Sequence, residues 1–169
     1  FNRLIVAAGL DWREVTMLRA VARYLRQAGI PFSDRYMEQT LLAHPDVAAT
    51  LVELFRARFD PAGDRSRAED VVRGIEAAID AVDSLDEDRI LRGFLSVVRA
   101  MLRTNYFLPG PKPYLSFKLD PTQIPLCPRP RPRFEIFVHS PRVEGVHLRG
   151  GSVARGGLRW SDRREDFRT

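Results

Sequence analysis

Residues 84–119, SLDEDRILRGFLSVVRAMLRTNYFLPGPKPYLSFKL, contain the change of character on which the fold turns. Ser84 with Glu87 makes a capping box, a hydroxyl at the helix start and a carboxyl three residues on. Leu91, Phe94, Leu95, Val98 and Leu102 follow at helical spacing. Asp86, Glu87 and Asp88 open this helix and Arg99 and Arg103 close it, the arrangement that complements the helix dipole. From Thr104 the pattern breaks. Pro109, Gly110, Pro111 and Pro113 terminate helix, and Tyr114 to Leu119 alternates as a strand does.

Upstream, the same helical logic repeats. Asp11 with Glu14 forms a capping box ahead of Trp12, Val15, Leu18, Ala22 and Leu25, and Gly29 and Pro31 end that helix. Ser33 caps a short helix carrying Met37, Thr40 and Leu41. Pro45 suits the first turn of another, with Val47, Leu51, Leu54 and Phe55 on one face. After a break at Gly63, Ser66 and Glu69 predict a further box before Val72, Ile75, Ile79 and Val82. Several capped helices with short connections imply a helix-on-helix array, and no fixed-period repeat is evident.

Downstream, Pro121, Pro125, Pro128, Pro130 and Pro132 predict an extended, partly stiff crossing, since a proline cannot donate to a ladder. Phe134 to Val138 reads as a second strand, Val143 to Leu148 as a third and Leu158 to Trp160 as a short fourth. Ser140 to Gly145 is short enough for a hairpin. Alternation puts Phe134, Ile136 and Val138 on one face, and Val143 opposite Val146 and Leu148. The expected class is α+β, an all-α helical array over residues 1–105 followed by strands over 106–169.

Composition is that of a globular protein, 44% hydrophobic and 29% charged, which argues against disorder. No apolar run approaches the roughly 20 residues of a membrane helix. The start lacks the regions of a signal peptide and opens on Phe1, so both ends are expected to be cuts in a longer polypeptide. Cys127 is the only cysteine, which excludes an internal disulfide and makes a reducing cytoplasm the expected compartment. The net charge of +5 is unevenly spread. Residues 1–105 carry 15 Arg and no Lys against 16 acidic residues, while residues 106–169 carry 12 basic against 6 acidic. Such a local field gathers small anions as readily as a phosphodiester, and no recognisable nucleic-acid motif accompanies it.

The cationic excess surrounds SVARGGLRWSDRREDFRT, residues 152–169. At its centre, Arg155-Gly156-Gly157-Leu158-Arg159 sets two glycines between cations. Glycines let backbone approach a ligand without a Cβ in the way, and guanidinium groups suit a carboxylate or phosphate. From residue chemistry alone, a bulge with solvated arginines is an equally open reading.

This stretch resembles the start of the catalytic domain of glutamate dehydrogenases. The run from Ala154 to Thr169, with Trp160-Ser161-Asp162-Arg163 and Glu165-Asp166-Phe167-Arg168, is similar to the large bacterial NAD-dependent members, and a looser likeness extends through Phe134 to Gly151. The resemblance implies that residues 106–169 begin an incomplete α/β catalytic domain, doubly wound when whole, behind a helical region. It implies Arg155, Gly156, Gly157 and Arg159 as substrate-binding residues. Arg155 stands where smaller family members carry a lysine. It can clamp a carboxylate bidentately but reaches further and cannot deprotonate. Bracing of the strand is a rival role for Arg159.

The implied reaction is reversible oxidative deamination of L-glutamate to 2-oxoglutarate and ammonia, with NAD as cofactor, in bacterial amino-acid catabolism. In the family the catalytic lysine and aspartate and the dinucleotide site follow this motif. The 169 residues by themselves are therefore expected to be inert and to need the remainder of the parent chain, in an assembly expected to be homo-oligomeric. The competing reading is a non-enzymatic helical interaction module with a basic tail.

Other chemistry is weaker. Gly157-Leu158 stands where a phosphate loop requires Lys-Ser or Lys-Thr, and no GxSxG elbow occurs. His139 and His147 are expected to face each other across the hairpin as ordinary strand residues, without a metal. His44 reads as a helix-start residue. Cys127 reads as a passive small side chain with only Arg129 nearby to favour a thiolate.

Overall fold

The computed structural model describes residues 1–110, 112–129 and 131–151. Six α-helices come first among them: α1 (Leu4–Ala7), α2 (Trp12–Ala28), α3 (Asp34–Ala43), α4 (Pro45–Phe59), α5 (Ala68–Asp80) and α6 (Leu85–Ala100). Four strands follow: β1 (Met101–Thr104), β2 (Leu115–Leu119), β3 (Phe134–His139) and β4 (Glu144–Arg149). The fold is α+β, helices first.

Local signals account for most helix ends. The Asp11 carboxylate accepts from the N–H groups of Arg13 and Glu14 at 2.7 and 2.8 Å, and the Glu14 carboxylate accepts from Asp11 N–H at 2.7 Å. Three donors that the first turn leaves without helical partners are thereby satisfied. At the other end of α2, Gly29 takes φ +95°, which only glycine adopts freely, and Ile30 N–H reaches back to Leu25 O at 3.0 Å. Ser33 caps α3, accepting from Tyr36 N–H at 3.1 Å, and Pro45 occupies the first turn of α4.

Three helical expectations are corrected. Ser66 caps nothing: the Asp64 carboxylate accepts from both its N–H (2.9 Å) and its hydroxyl (2.6 Å), starting a 3-10 turn over Arg65–Arg67 that runs into α5. An acceptor two residues upstream had the stronger claim. Ser84 does cap α6, at 3.4 Å from Glu87 N–H, but the Glu87 carboxylate engages His44 Nε2 at 3.0 Å, so the reciprocal half of the box is spent on a tertiary contact. Trp12, expected on the apolar face of α2, is 70% exposed.

The helix of residues 85–100 also stops before Leu102. Met101–Thr104 is strand, paired antiparallel with residues 117–119 of β2 around an irregularity between Met101 and Arg103. Arg58 closes the end of α6 by donating to the carbonyls of Val98, Arg99 and Met101. The sheet is an antiparallel meander in the order β1-β2-β3-β4. Phe117 lies opposite Phe137, and Phe137 opposite Val146. These three face the helices: the Tyr24 ring of α2 meets Phe137 edge-on at 5.6 Å, and Phe55 of α4 meets Phe117 at 6.4 Å. All are fully buried, and helices and sheet share one continuous core. Each large ring so buried contributes roughly 1.5–3 kcal/mol.

The face carrying Phe134, Ile136 and Val138 is the half-buried one, and Glu135, Phe137 and His139 form the inner face. Val143 lies on the surface while Val146 is in the core, as alternation requires. The proline-rich crossing is only partly extended. Asp120 caps a 3-10 turn over Pro121–Gln123, Ile124 and Cys127 enter the core, and the Arg131 guanidinium donates to the carbonyls of Thr122, Pro125 and Cys127.

Candidate functional site

Arg155, Gly156, Gly157 and Arg159, and the strand expected over Leu158 to Trp160, lie outside the described residues. The structure does describe what leads up to them. β4 ends at Arg149, and its start is fastened to α2: Arg23 Nε donates to Glu144 Oε2 at 2.6 Å and Gln27 Nε2 to Glu144 Oε1 at 3.2 Å. The same guanidinium holds Asp34 of α3 at 2.7 Å. The Glu144 bond, ahead of burial acting the other way and of Asp34, keeps the Arg23 pKa above its ordinary value.

Beneath β3 sits a buried polar cluster. Glu135 is fully buried, and its Oε2 accepts from the Tyr24 hydroxyl at 2.6 Å. Cys127 Sγ lies 3.3 Å from the same hydroxyl. Burial first, then the neighbouring Glu135 and Cys127, raises the Tyr24 pKa well above 10.0, so the phenol stays a donor at neutral pH. Sequence reading overlooked Glu135 because a charge in an alternating strand reads as solvent-facing. Its shared parity with Phe137 was the available signal. Cys127 meets Tyr24 rather than depending on Arg129 for company.

The two strand histidines do not meet. His139 pairs in register with Glu144 and His147 with Ile136, so they sit on opposite faces of the sheet. The hairpin forms as expected, with Ser140 N–H donating to Val143 O at 2.8 Å, but its register is set by that turn. His139 is 8% exposed, and its ring stacks on Phe137 at 6.5 Å. Its pKa is lowered, chiefly by burial, against an upward pull from Glu144 and with further lowering from Arg23 and Arg19.

His139 also lines a cleft of about 630 Å³ between the start of α2, the segments 105–110 and 112–115 and the β3–β4 turn. Trp12, Arg13, Tyr106, Lys112 and Tyr114 form much of its wall, and no Asp or Glu lies among the described lining residues. Aromatic packing fixes the back wall. Phe55 holds Tyr106 at 5.2 Å and Phe107 at 5.7 Å, while Asn105 Nδ2 donates to Tyr114 O at 3.0 Å. The Arg13 guanidinium lies 4.5 Å over the Tyr106 ring and donates to the Tyr106 carbonyl at 2.5 Å. Burial, with Asp11 adding to it, pushes the Tyr106 pKa up to about 12. The other lysine in this region, Lys118, lies 4.1 Å over the Phe134 ring on the far face of the sheet.

Chemically, these residues hold a strand pair in register and offer a cationic, aromatic cleft. Among the described residues no three His, Cys, Asp or Glu converge on a metal position, and no helix is long and apolar enough to cross a membrane. No GxGxxG occurs in the sequence, and the meander has no strand–helix–strand unit among its described residues.

Two family models match successive parts of the chain. The family model for the catalytic domain of bacterial NAD-glutamate dehydrogenase matches residues 74–169, and that for glutamate dehydrogenase helical motif 3 matches residues 1–61. The chain is 54% identical over its full length to an NAD-specific glutamate dehydrogenase of Halomonas elongata and 54% identical to one of Mycobacterium tuberculosis. It is 53% identical to that of Pseudomonas aeruginosa. In each case it spans 11% of the relative's length.

Proposed function

The chain belongs to the bacterial NAD-glutamate dehydrogenase family, and from that premise we propose that it is a substrate-binding segment of an enzyme that converts L-glutamate, water and NAD reversibly to 2-oxoglutarate, ammonia and NADH. The observation that supports this most is the combination of 54% identity across the whole chain with a catalytic-domain match over residues 74–169.

The work of the described residues is positional. α2 braces the β3–β4 hairpin through Arg23, Gln27 and Tyr24, and the hairpin carries the chain toward residues 155–159. There Arg155 and Arg159 supply positive charge to a substrate carboxylate, and Gly156 and Gly157 leave its approach free of side chains. NAD, when bound, supplies the hydride acceptor. On this reading the cofactor site and the acid–base pair belong to the remainder of the parent chain. The same reading makes glutamate and 2-oxoglutarate the ligands, a homo-oligomer the assembled form and the cytoplasm the compartment.

Two measurements test this. In the full-length protein, Arg155→Ala should lower kcat/KM for glutamate about 10–100-fold, the value of a charge-assisted contact, and Gly157→Val should lower it by at least about tenfold by putting a branched side chain in the substrate's approach. The 169 residues alone should yield no NADH from glutamate and NAD. Unimpaired variants would remove the cradle, and turnover by the short chain would remove the division of labour.

A further inference from the structure

We propose that the cleft between α2, residues 105–110 and 112–115 and the β3–β4 turn is a binding site for a flat aromatic carboxylate. The site goes beyond the dehydrogenase reading and does not need it.

The walls argue for a planar apolar body. Trp12, Leu108 and Tyr114, 70%, 55% and 47% exposed, all line this one concavity, although large apolar side chains are costly to leave in water. A volume of about 630 Å³ lies within the roughly 300–1,000 Å³ of pockets that enclose small ligands. Segment 105–107 is held from behind by Phe55, so this wall is preformed.

The charges argue for an anion. Arg13 and Lys112 line the cleft, and no carboxylate does among the described residues. Arg13 is already oriented, stacked over Tyr106 and tied to its carbonyl, and so needs little ordering when it meets a ligand oxygen. A guanidinium fork over an aromatic ring recognises a carboxylate bidentately, where an ammonium acts as a point charge.

His139 supplies the second, independent sign of a ligand. It lines the cleft while 8% exposed, and its Nδ1 has no hydrogen-bond partner among the described residues. A buried polar atom without a partner costs about 1–3 kcal/mol, and a ligand oxygen offsets this once the imidazole turns to bring that nitrogen to the cleft. Burial keeps the imidazole neutral near pH 7, so it offers a hydrogen bond and no further charge.

The test uses the full-length protein and titration calorimetry with naphthalene-2-carboxylate. Saturable binding is expected. Trp12→Ala and the double variant Arg13→Ala/Lys112→Ala should each weaken it about tenfold or more, and the neutral 2-naphthamide should bind at least about tenfold more weakly than the acid. Trp12 and Lys112 are exposed, and unchanged amide exchange in α2 shows that the variants fold. Absence of binding, equal binding by the variants, or equal binding of the amide would each overturn the proposal. Heat rather than turnover is read, so that result leaves the glutamate reading untouched.

Discussion

Arg23 on α2 donates to Glu144 on β4 at 2.6 Å across 121 positions of sequence. Asp34 shares the guanidinium at 2.7 Å, so one side chain ties two helices to β4. The side chains of Arg23 and Glu144 are 41% and 22% exposed, and solvent screens the pair. Arg23→Ala should therefore loosen β4 by about 1 kcal/mol. In the full-length protein this is read as roughly fivefold faster amide exchange over residues 144–149. Part of the difference should vanish in high salt. Exchange unchanged at every ionic strength would mean that the sheet holds β4 without α2.

Arg58 has a more protected task. Its guanidinium donates to Arg99 O at 2.6 Å and Met101 O at 3.1 Å, and also to Val98 O, where α6 turns directly into β1. The carbonyls of Val98 and Arg99 lie in the last turn of α6, where helical partners run out, and one planar fork serves them together with the Met101 carbonyl of β1. Arg58→Ala should raise the local opening equilibrium by roughly 2–3 kcal/mol. Tryptic cleavage after Arg99 and Arg103 should accelerate about 30-fold or more. Arg58→Lys should recover less than half of the loss, because an ammonium cannot reproduce the fork. Full recovery by lysine would show that charge alone matters there.

This junction also marks where sequence reading runs out. Asp11 with Glu14, Ser33, Pro45 and Gly29 were legible because each acts within one turn of chain. Met101–Thr104 was not, since Leu102 continues a helical spacing and only pairing with β2 makes strand the better outcome. Trp12 read as core because periodicity cannot tell an apolar face that meets another helix from one that lines an open cleft. Glu135 and His139 were hidden by the reverse problem, polar residues at core-facing positions whose partners lie far off in sequence. The Arg-Gly-Gly-Leu-Arg run was legible by residue type alone. Which of its arginines touches substrate is a matter of three-dimensional placement that no spacing encodes.

Alkaline pH should expose the two buried phenols. The Tyr106 pKa rises from 10.0 to about 12, and that of Tyr24 rises well above 10.0. A raised folded-state pKa gives stability that is whole below the unfolded value and is lost as pH climbs toward the folded one. For Tyr106 this amounts to roughly 2–3 kcal/mol lost between pH 10 and 12. Tyr106→Phe should flatten the stability curve in that window. Ultraviolet difference titration of the wild type against Tyr106→Phe should show a Tyr106 tyrosinate signal that appears only with unfolding. Reversible ionisation of both tyrosines near pH 10 in the folded chain would contradict their burial.

On the acid side, His139 should make the first contribution. Its folded pKa is depressed below 6.5, mainly by burial, despite Glu144 opposite it and with Arg23 and Arg19 adding to the depression. The unfolded chain then binds the proton more readily, so stability is intact above pH 6.5 and is lost as pH falls through the folded value. Asp64 and Asp120 act in a separate, lower window. Bonds from Ser66 hold Asp64 below 3.8, and Asp120, despite partial burial, is held below it by Thr122 and Gln123. His139→Phe keeps an aromatic ring on Phe137 and removes both the titration and the unpaired Nδ1. The variant should match or exceed wild-type stability near pH 7, since replacing an unsatisfied polar group with an apolar one of similar shape is nearly neutral or better. As pH falls below 6.5 it should also lose less protection in β3 and β4 than wild type does. Identical decline in both proteins over that interval would assign the acid sensitivity to some other group.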